Sequence, residues 1–443
     1  EEVAFSYDQL TALSEDMENI PEDLPETPPT FEELLDSREA YGRKLGTDPV
    51  LSKLSAYASL GILKLSPLLL DDLVEEAYLD DPSSTFYVDH RDWSRCSTNI
   101  RLTKEDAERL ILRLKFDSGH RLDFSNPSLK TEVKCKDFIA RFSVDIYPLA
   151  LHGLHIDIRK HKRASFTLPE LISNGTIPPP VAAYLYFALV HRRNITIVGP
   201  PNSGKTTLAN ALDMLCPFPW RRVYVEDASE SLDLRAYGYH QAKFCVDPME
   251  QRPVRFPMDR EIVKLLHRSP DWVFLGEIQT KEQTRAMFHA IASGLRGIQT
   301  FHASSLQQLV NRWLNHYGIP PSCILDLDVI VQMERFWELG KIRRRVVGVC
   351  EPHILDGKLH FVEVFKWDPT REEVIRAENL YETPVLRKIR ALKAISRRDF
   401  EETLAFFEKI FRHMANRGIY EAGEVIRFMR RIWCLRREHS WGS

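Results

Sequence analysis

The segment IVGPPNSGKTT, residues 197–207, sets Gly199 and Gly204-Lys205-Thr206 apart by four residues. A loop that wraps a polyphosphate must turn several backbone amides inward, and glycines allow both the turns and the close approach. Gly199, Pro200, Pro201, Asn202, Ser203 and Gly204 make such a loop. Lys205 is spaced to reach the outer phosphates, and Thr206, followed by Thr207, to complete a Mg²⁺ shell. The expected ligand is a nucleoside triphosphate with its metal.

Further acid–base groups end apolar runs. VYVEDASESL (223–232) carries Glu226, Asp227 and Glu230, DWVFLGEI (271–278) delivers Glu277, and TFHASS (300–305) delivers His302. In a parallel sheet, reactive groups gather at the carboxyl ends of the strands, on the side of the phosphate loop. An acid at Glu277 can position the Mg²⁺ shell or the attacking water, and His302 can sense the γ-phosphate. Plain surface placement is the alternative for the carboxylates, and a structural role for a lone histidine. Gly276 stands where a second acid often precedes Glu277.

These groups need a scaffold to hold them. NITIVG (194–199) has the β-branched content of a buried parallel strand, and TTLANALDML after Lys205 is helix-forming, which puts the phosphate at a helix N-terminus. From residue 166 strands alternate with helices: NITIVG, RRVYVED, DWVFLGE, GIQTFHA and DLDVIVQM. That alternation predicts an α/β domain with a parallel sheet over residues 166–370, with antiparallel strands added at 342–366. Residues 46–165 mix helical pattern (SPLLLDDLVEEAYLDD, TKEDAERLILRLKF) with strand-like runs (STFYVDH, FIARFSVDIY, LHIDIRK) and predict a smaller α+β domain. KHKRAS (160–165) reads as the linker, and residues 371–443 as a helical tail.

The net charge of −3 over 443 residues gives no global nucleic-acid footprint. Residues 1–45 open acidic and proline-rich, and predict a flexible tail. The basic runs KIRRR (341–345) and FMRRIWCLRRE (428–438) read as solvated surface. The longest apolar run, VAAYLYFALV (181–190), is shorter than a membrane span, and no signal peptide is seen. Seven cysteines without a CxxC pair indicate neither a zinc site nor a disulfide framework, and the chain reads as cytosolic.

Taken in order, GPPNSGKTT, VEDASE, RSPDWVFLGEI and ASGLRGIQTFHA resemble the Walker A, Asp box, atypical Walker B and His box of the secretion ATPase superfamily. FTLPELISNGTIPPPVAAYLYFAL (166–189) and FYVDHRDWSRCSTNIRLTKEDAERLILRL (86–114) resemble the archaeal branch, and the likeness covers about residues 65–440. The resemblance implies a homo-hexameric ring of two-domain subunits with a RecA-type core. It also implies ATP and Mg²⁺ as ligands, and a polytopic membrane platform protein as partner on the cytoplasmic face. By matching motif, Lys205 and Thr206 hold phosphates and Mg²⁺, Glu230 polarises water, Glu277 supports Mg²⁺ and water, and His302 senses the γ-phosphate. Two positions depart: Gln279-Thr280 replaces the family's Arg-Asp, and Leu295 replaces the first His-box histidine.

A conjugation-type secretion ATPase is a close sibling of this reading. A RecA-type nucleic-acid translocase shares the loop but does not explain the spacing of the Asp-box and His-box segments. The γ-phosphate develops charge that motors commonly neutralise with an arginine across a moving interface. Arg252, Arg255 and Arg260, or Arg91, Arg95 and Arg101, are the candidates.

Overall fold

In the first unit, Glu1–Arg163, helices α1 (Phe31–Lys44), α2 (Pro49–Ser59) and α3 (Ser66–Leu70) lead into β1 (Val74–Leu79), β2 (Tyr87–His90) and β3 (Ser94–Ser97). Then come α4 (Lys104–Ser118), β4 (Ser128–Lys134), β5 (Ile139–Ile146) and β6 (Leu154–His161). The computed structural model describes residues 29–161, 166–228, 230–247, 254–338 and 341–438. The six strands form an antiparallel sheet in the order β3-β2-β1-β6-β5-β4. Alternation decides which face is buried: Ala140, Phe142 and Val144 of β5 and Ile156 and Ile158 of β6 point into the core, with half-exposed neighbours between them. Leu110 and Leu114 of α4 and Tyr57 of α2 join the same core.

Two expectations are corrected here. Within residues 1–45, the part that falls in the described residues is a packed helix. Thr30 and Glu33 form a reciprocal capping box on α1, and Phe31, Leu34 and Leu35 are buried in the first core. The acidic first turn suits a helix N-terminus, so the acidity marks the start of a helix as well as solvated chain. Residues 1–28 lie outside the described residues. Second, the helical pattern expected across 66–81 stops at Leu70, and Val74–Leu79 is the strand β1, paired on both sides. A bulge between Val74 and Glu76 makes Val74, Ala77 and Leu79 the buried positions, so the spacing imitates a helix.

The second unit, Ala164–Ser443, starts with α5 (Leu168–Ser173), α6 (Pro179–Val190), β7 (Ile195–Gly199), α7 (Lys205–Asp213), β8 (Arg222–Glu226) and β9 (Gln241–Cys245). It continues with α8 (Met258–Lys264), β10 (Trp272–Ile278), α9 (Lys281–Ala292), β11 (Gly297–His302), α10 (Leu306–Asn311) and α11 (Pro321–Ile324). The last elements are β12 (Val329–Glu338), β13 (Lys341–Leu355), β14 (Lys358–Asp368), β15 (Glu373–Arg376), α12 (Pro384–Arg390), α13 (Arg397–Asn416) and α14 (Ala422–Glu438). The sheet runs β15-β14-β13-β12-β7-β11-β10-β8-β9. From β12 to β9 every neighbouring pair is parallel, and β13, β14 and β15 add antiparallel strands at one edge.

Every residue of β7 and β8 is buried, which accounts for the apolar run at 223–225, while the terminal Arg222 and Glu226 of β8 are buried with hydrogen-bond partners. The helix α6 is apolar all round because residues 181–189 are buried all round. Its Tyr186 meets Phe407 of α13 edge-on at 4.7 Å, and Phe187 meets Phe400 at 5.1 Å. The carboxylate of Glu351 on β13 accepts from the Tyr184 hydroxyl of α6 and from the Val385 amide of α12. The C-terminal helices therefore share one core with the sheet. Among the described residues no helix is long and apolar enough to cross a membrane.

Candidate nucleotide-binding site

The strand β7 ends at Gly199, where only glycine fits: a Cβ there would lie 2.5 Å from the Met333 carbonyl oxygen and 2.5 Å from Ser203 Oγ. The chain then turns through Asn202 (φ 59°) and Gly204 (φ 90°), both left-handed, and enters α7 at Lys205. Gly204 is the N-cap and offers no side-chain acceptor to the first amides of the helix. Ser203 Oγ is buried with no hydrogen-bond partner among the described residues. Uncapped amides at a helix N-terminus, an unsatisfied buried hydroxyl and a buried lysine suit a polyphosphate, so the loop fits the ligand its sequence predicts. Pro200, Asn202, Thr206 and Thr207 are half-buried, Pro201 is exposed, and Thr206 sits in the first turn of α7.

Three of the predicted residues meet directly. Lys205, 5% exposed, donates from Nζ to the Pro200 carbonyl at 3.0 Å and lies 2.9 Å from His302 Nδ1. His302 Nε2 contacts the Glu277 carboxylate. Register explains the meeting: β11 lies beside β7 with His302 opposite Gly199, and β10 lies beside β11. The ladder between β10 and β11 slips between Leu275 and Glu277, leaving Gly276 bulged. The Gly276 carbonyl accepts from Thr300 Oγ1 at 2.6 Å, and a Cβ on Gly276 would sit 3.3 Å from Glu226 Cγ. The glycine that departs from the usual acid is thus the bulge that turns Glu277 toward His302. Gln279 Nε2 donates to Glu277 Oε2 at 3.0 Å, and Thr280 caps α9 in a capping box with Gln283. Leu295 packs beside the apolar core on the β10–β11 side.

The acidic loop after β8 is fastened at both ends. Glu226 accepts from the Ser231 amide at 2.9 Å and from its hydroxyl, and Lys243 Nζ stands 3.8 Å away. Burial, opposed by Lys243 and Ser231 and reinforced by Glu230, pushes the Glu226 carboxyl up to about 7. Glu230 is half-buried, and its carbonyl accepts from Asn210 Nδ2 of α7 at 2.8 Å. The loop is thereby tied to the helix that begins with Lys205. Glu230's own carboxylate has no partner among the described residues.

The arginine candidates separate. Arg252 lies outside the described residues, while Arg255 and Arg260 are exposed. In the first unit, Arg95 forks onto Asp89 at 2.8 and 3.0 Å and lies 4.7 Å over the Tyr78 ring. Arg91 donates to the Asp72 carbonyl at 3.2 Å, and Arg101 is exposed. Sequence reasoning missed Arg344, whose Nε donates to the Asn202 carbonyl at 2.8 Å. It sits in the KIRRR run, read as surface, and only the register of β13 separates it from its neighbours.

The fold and the loop define an α/β protein with a phosphate-type loop at the carboxyl ends of a largely parallel sheet. The chain belongs to the Type II/IV secretion system protein family, whose model matches residues 84–412. It is 27% identical over 383 residues to the uncharacterized protein MJ0900 of Methanocaldococcus jannaschii, covering 83% of this chain. That match spans 66% of the relative, just under two thirds of its length. The type IV secretion system protein PtlH of Bordetella pertussis is 26% identical over 319 residues, 64% of this chain and 92% of PtlH. The structure of the Legionella pneumophila ATPase DotB is similar with a TM-score of 0.49 and 13% identity, covering 79% of this chain and 86% of DotB.

Proposed function

We propose that this chain is a RecA-type ATPase that hydrolyses ATP to ADP and phosphate to drive a type IV pilus-like filament or type II-like secretion. It works as a homo-hexamer at the cytoplasmic face of the membrane, on a polytopic platform protein, without a stable nucleic-acid partner. The observation that carries the reading is the chain of contacts from Lys205 through His302 to Glu277. It joins a loop lysine to a strand-end carboxylate, which a mere phosphate-binding scaffold does not need.

In this mechanism the loop amides and Lys205 hold the phosphates, and Lys205 exchanges its contacts with Pro200 and His302 for phosphate oxygens. Thr206 and Glu277 would hold Mg²⁺, which when bound neutralises charge on the β- and γ-phosphates. Glu230, on a loop fixed by Glu226 and Asn210, orients the attacking water. His302, released by Lys205, reports the γ-phosphate to Glu277. The work is positioning and charge stabilisation, with no covalent intermediate.

Phosphate release from ATP is the test. Wild type should release phosphate and Lys205→Ala should not; equal rates would overturn the reading. The similarity to PtlH favours a second reading, a conjugation-type secretion ATPase. Stimulation by anionic lipid vesicles fits either secretion motor, whereas stimulation by single-stranded DNA would mark a nucleic-acid translocase.

A further inference from the structure

The phosphate loop is gripped from a strand 142 residues further along the chain. β12 lies between β7 and β13, and both of its neighbours are aligned with it, parallel to β7 and antiparallel to β13. Met333 of β12 sets its carbonyl against Gly199 and its methyl 3.4 Å from where a Cβ on Gly204 would be. From β13, Arg344 donates Nε to the Asn202 carbonyl at 2.8 Å, and its Cδ is 3.5 Å from that same Gly204 position. Both left-handed residues of the loop are therefore touched by the β12–β13 pair, which also lies against Gly199.

Neighbours in the run do other things. Arg343 is exposed and pairs with Glu338 at 3.3 Å. Arg345 lies 3.9 Å over the Trp367 ring and reaches the Gly175 carbonyl. Side chains alternate along a strand, so Arg344 projects from the opposite face to both. Its donor fixes the Asn202 carbonyl on the β13 side. In a trans peptide the following amide points the other way, and the Ser203 N–H, held away from β13, donates to the Pro200 carbonyl at 3.3 Å.

We propose that Arg344 is a positioning residue for the polyphosphate of the bound nucleotide, acting in the same subunit. It fixes the Asn202–Ser203 peptide, whose amide closes the turn of the loop onto Pro200, and so holds the loop in shape around the phosphates; it also adds a fixed positive charge behind the loop. This rests on the nucleotide reading above and goes beyond it by naming a residue outside the four motifs.

The test titrates wild type, Arg344→Gln, Arg344→Lys and Arg343→Gln with a fluorescent ADP analogue, then displaces it with inorganic pyrophosphate. Arg344→Gln should weaken both ligands by about tenfold, the loss expected for one charge-assisted hydrogen bond. KM for ATP should rise more than kcat falls. Arg344→Lys should recover part of the affinity, because an ammonium can still donate to Asn202. Arg343→Gln should match wild type. A hairpin that merely needs Arg344 to fold would lower the melting temperature and leave the affinity of the folded protein unchanged, and that result overturns the proposal. So does pyrophosphate binding within twofold of wild type in Arg344→Gln. Wild type that binds no ADP at all overturns the nucleotide reading and this proposal together.

Discussion

Lys205 Nζ and His302 Nδ1 lie 2.9 Å apart, a polar contact between the helix after the glycine-rich loop and the end of β11. His302 also touches Glu277, so one imidazole bridges the loop lysine and the strand-end acid. Removing the ring should therefore separate binding from chemistry. His302→Ala is expected to hold ADP within about threefold of wild type and to lower kcat by about 10²-fold or more, the lesser end of what a positioned acid–base group contributes. Fluorescence titration and steady-state phosphate release check the two separately. An affinity loss as large as the kcat loss would make His302 a binding residue instead.

Glu230 and Glu277 should differ in kind. Glu230 has a carboxylate without a partner on a fastened loop, as a water-orienting group requires, whereas Glu277 is already engaged by His302 and Gln279. Glu230→Gln should keep ATP bound and lose turnover by about 10²-fold or more. Glu277→Gln should weaken the dependence on Mg²⁺ as well. Wild-type turnover in Glu230→Gln, with loss only in Glu277→Gln, would exchange the two roles.

Glu226 makes stability depend on pH. Burial raises its carboxyl from 4.5 to about 7, so between those values the folded protein holds a proton that the unfolded chain releases. Its contribution is intact below about pH 4.5 and is lost as the pH rises through 7, by about 3 kcal/mol in all. Glu226→Gln keeps an acceptor for Ser231 and cannot ionise. Unfolding free energies measured by urea at several pH values should show the variant gaining on wild type between pH 4.5 and 7.5. A constant difference would show that Glu226 titrates normally.

The first helix is structural. Leu35 is 2% exposed and belongs to the first unit's core. Leu35→Ala should cost about 2–5 kcal/mol, the range for emptying a buried leucine site. Deleting residues 1–40 removes Phe31, Leu34 and Leu35 together and should lower the melting temperature sharply. Thermal melts that leave the protein unchanged would show that α1 does not hold the fold.

The proposed ring predicts complementation between inactive subunits. Arg101 is the arginine to try, because Arg95 is already forked onto Asp89. Specific activity should rise with protein concentration, and mixing Arg101→Ala with Glu230→Gln should restore phosphate release. Activity independent of concentration in a stable monomer would remove the ring.

What the sequence settled is what is local. The loop from Gly199 to Thr206 carries its whole pattern within eight residues, because phosphate cradling is done by consecutive backbone amides. The strands that carry Glu226 and Glu277 were legible because buried parallel strands hold short apolar runs, here 223–225 and 272–275, whereas the strand that ends in His302 has Gln299 and Thr300 in its middle. What the tertiary structure decided is register. Nothing in Val74–Leu79 announces a bulge, so its spacing of three passes for a helix until β2 and β6 pair with it. The bulge at Gly276 is visible only against β11, and it decides that Glu277 meets His302. Arg343, Arg344 and Arg345 are chemically identical, and only the pairing of β13 with β12 puts the middle one on Asn202. Side-chain chemistry is written residue by residue, but a strand's face and neighbour depend on hydrogen bonds to chain far away, and a one-residue slip reverses them.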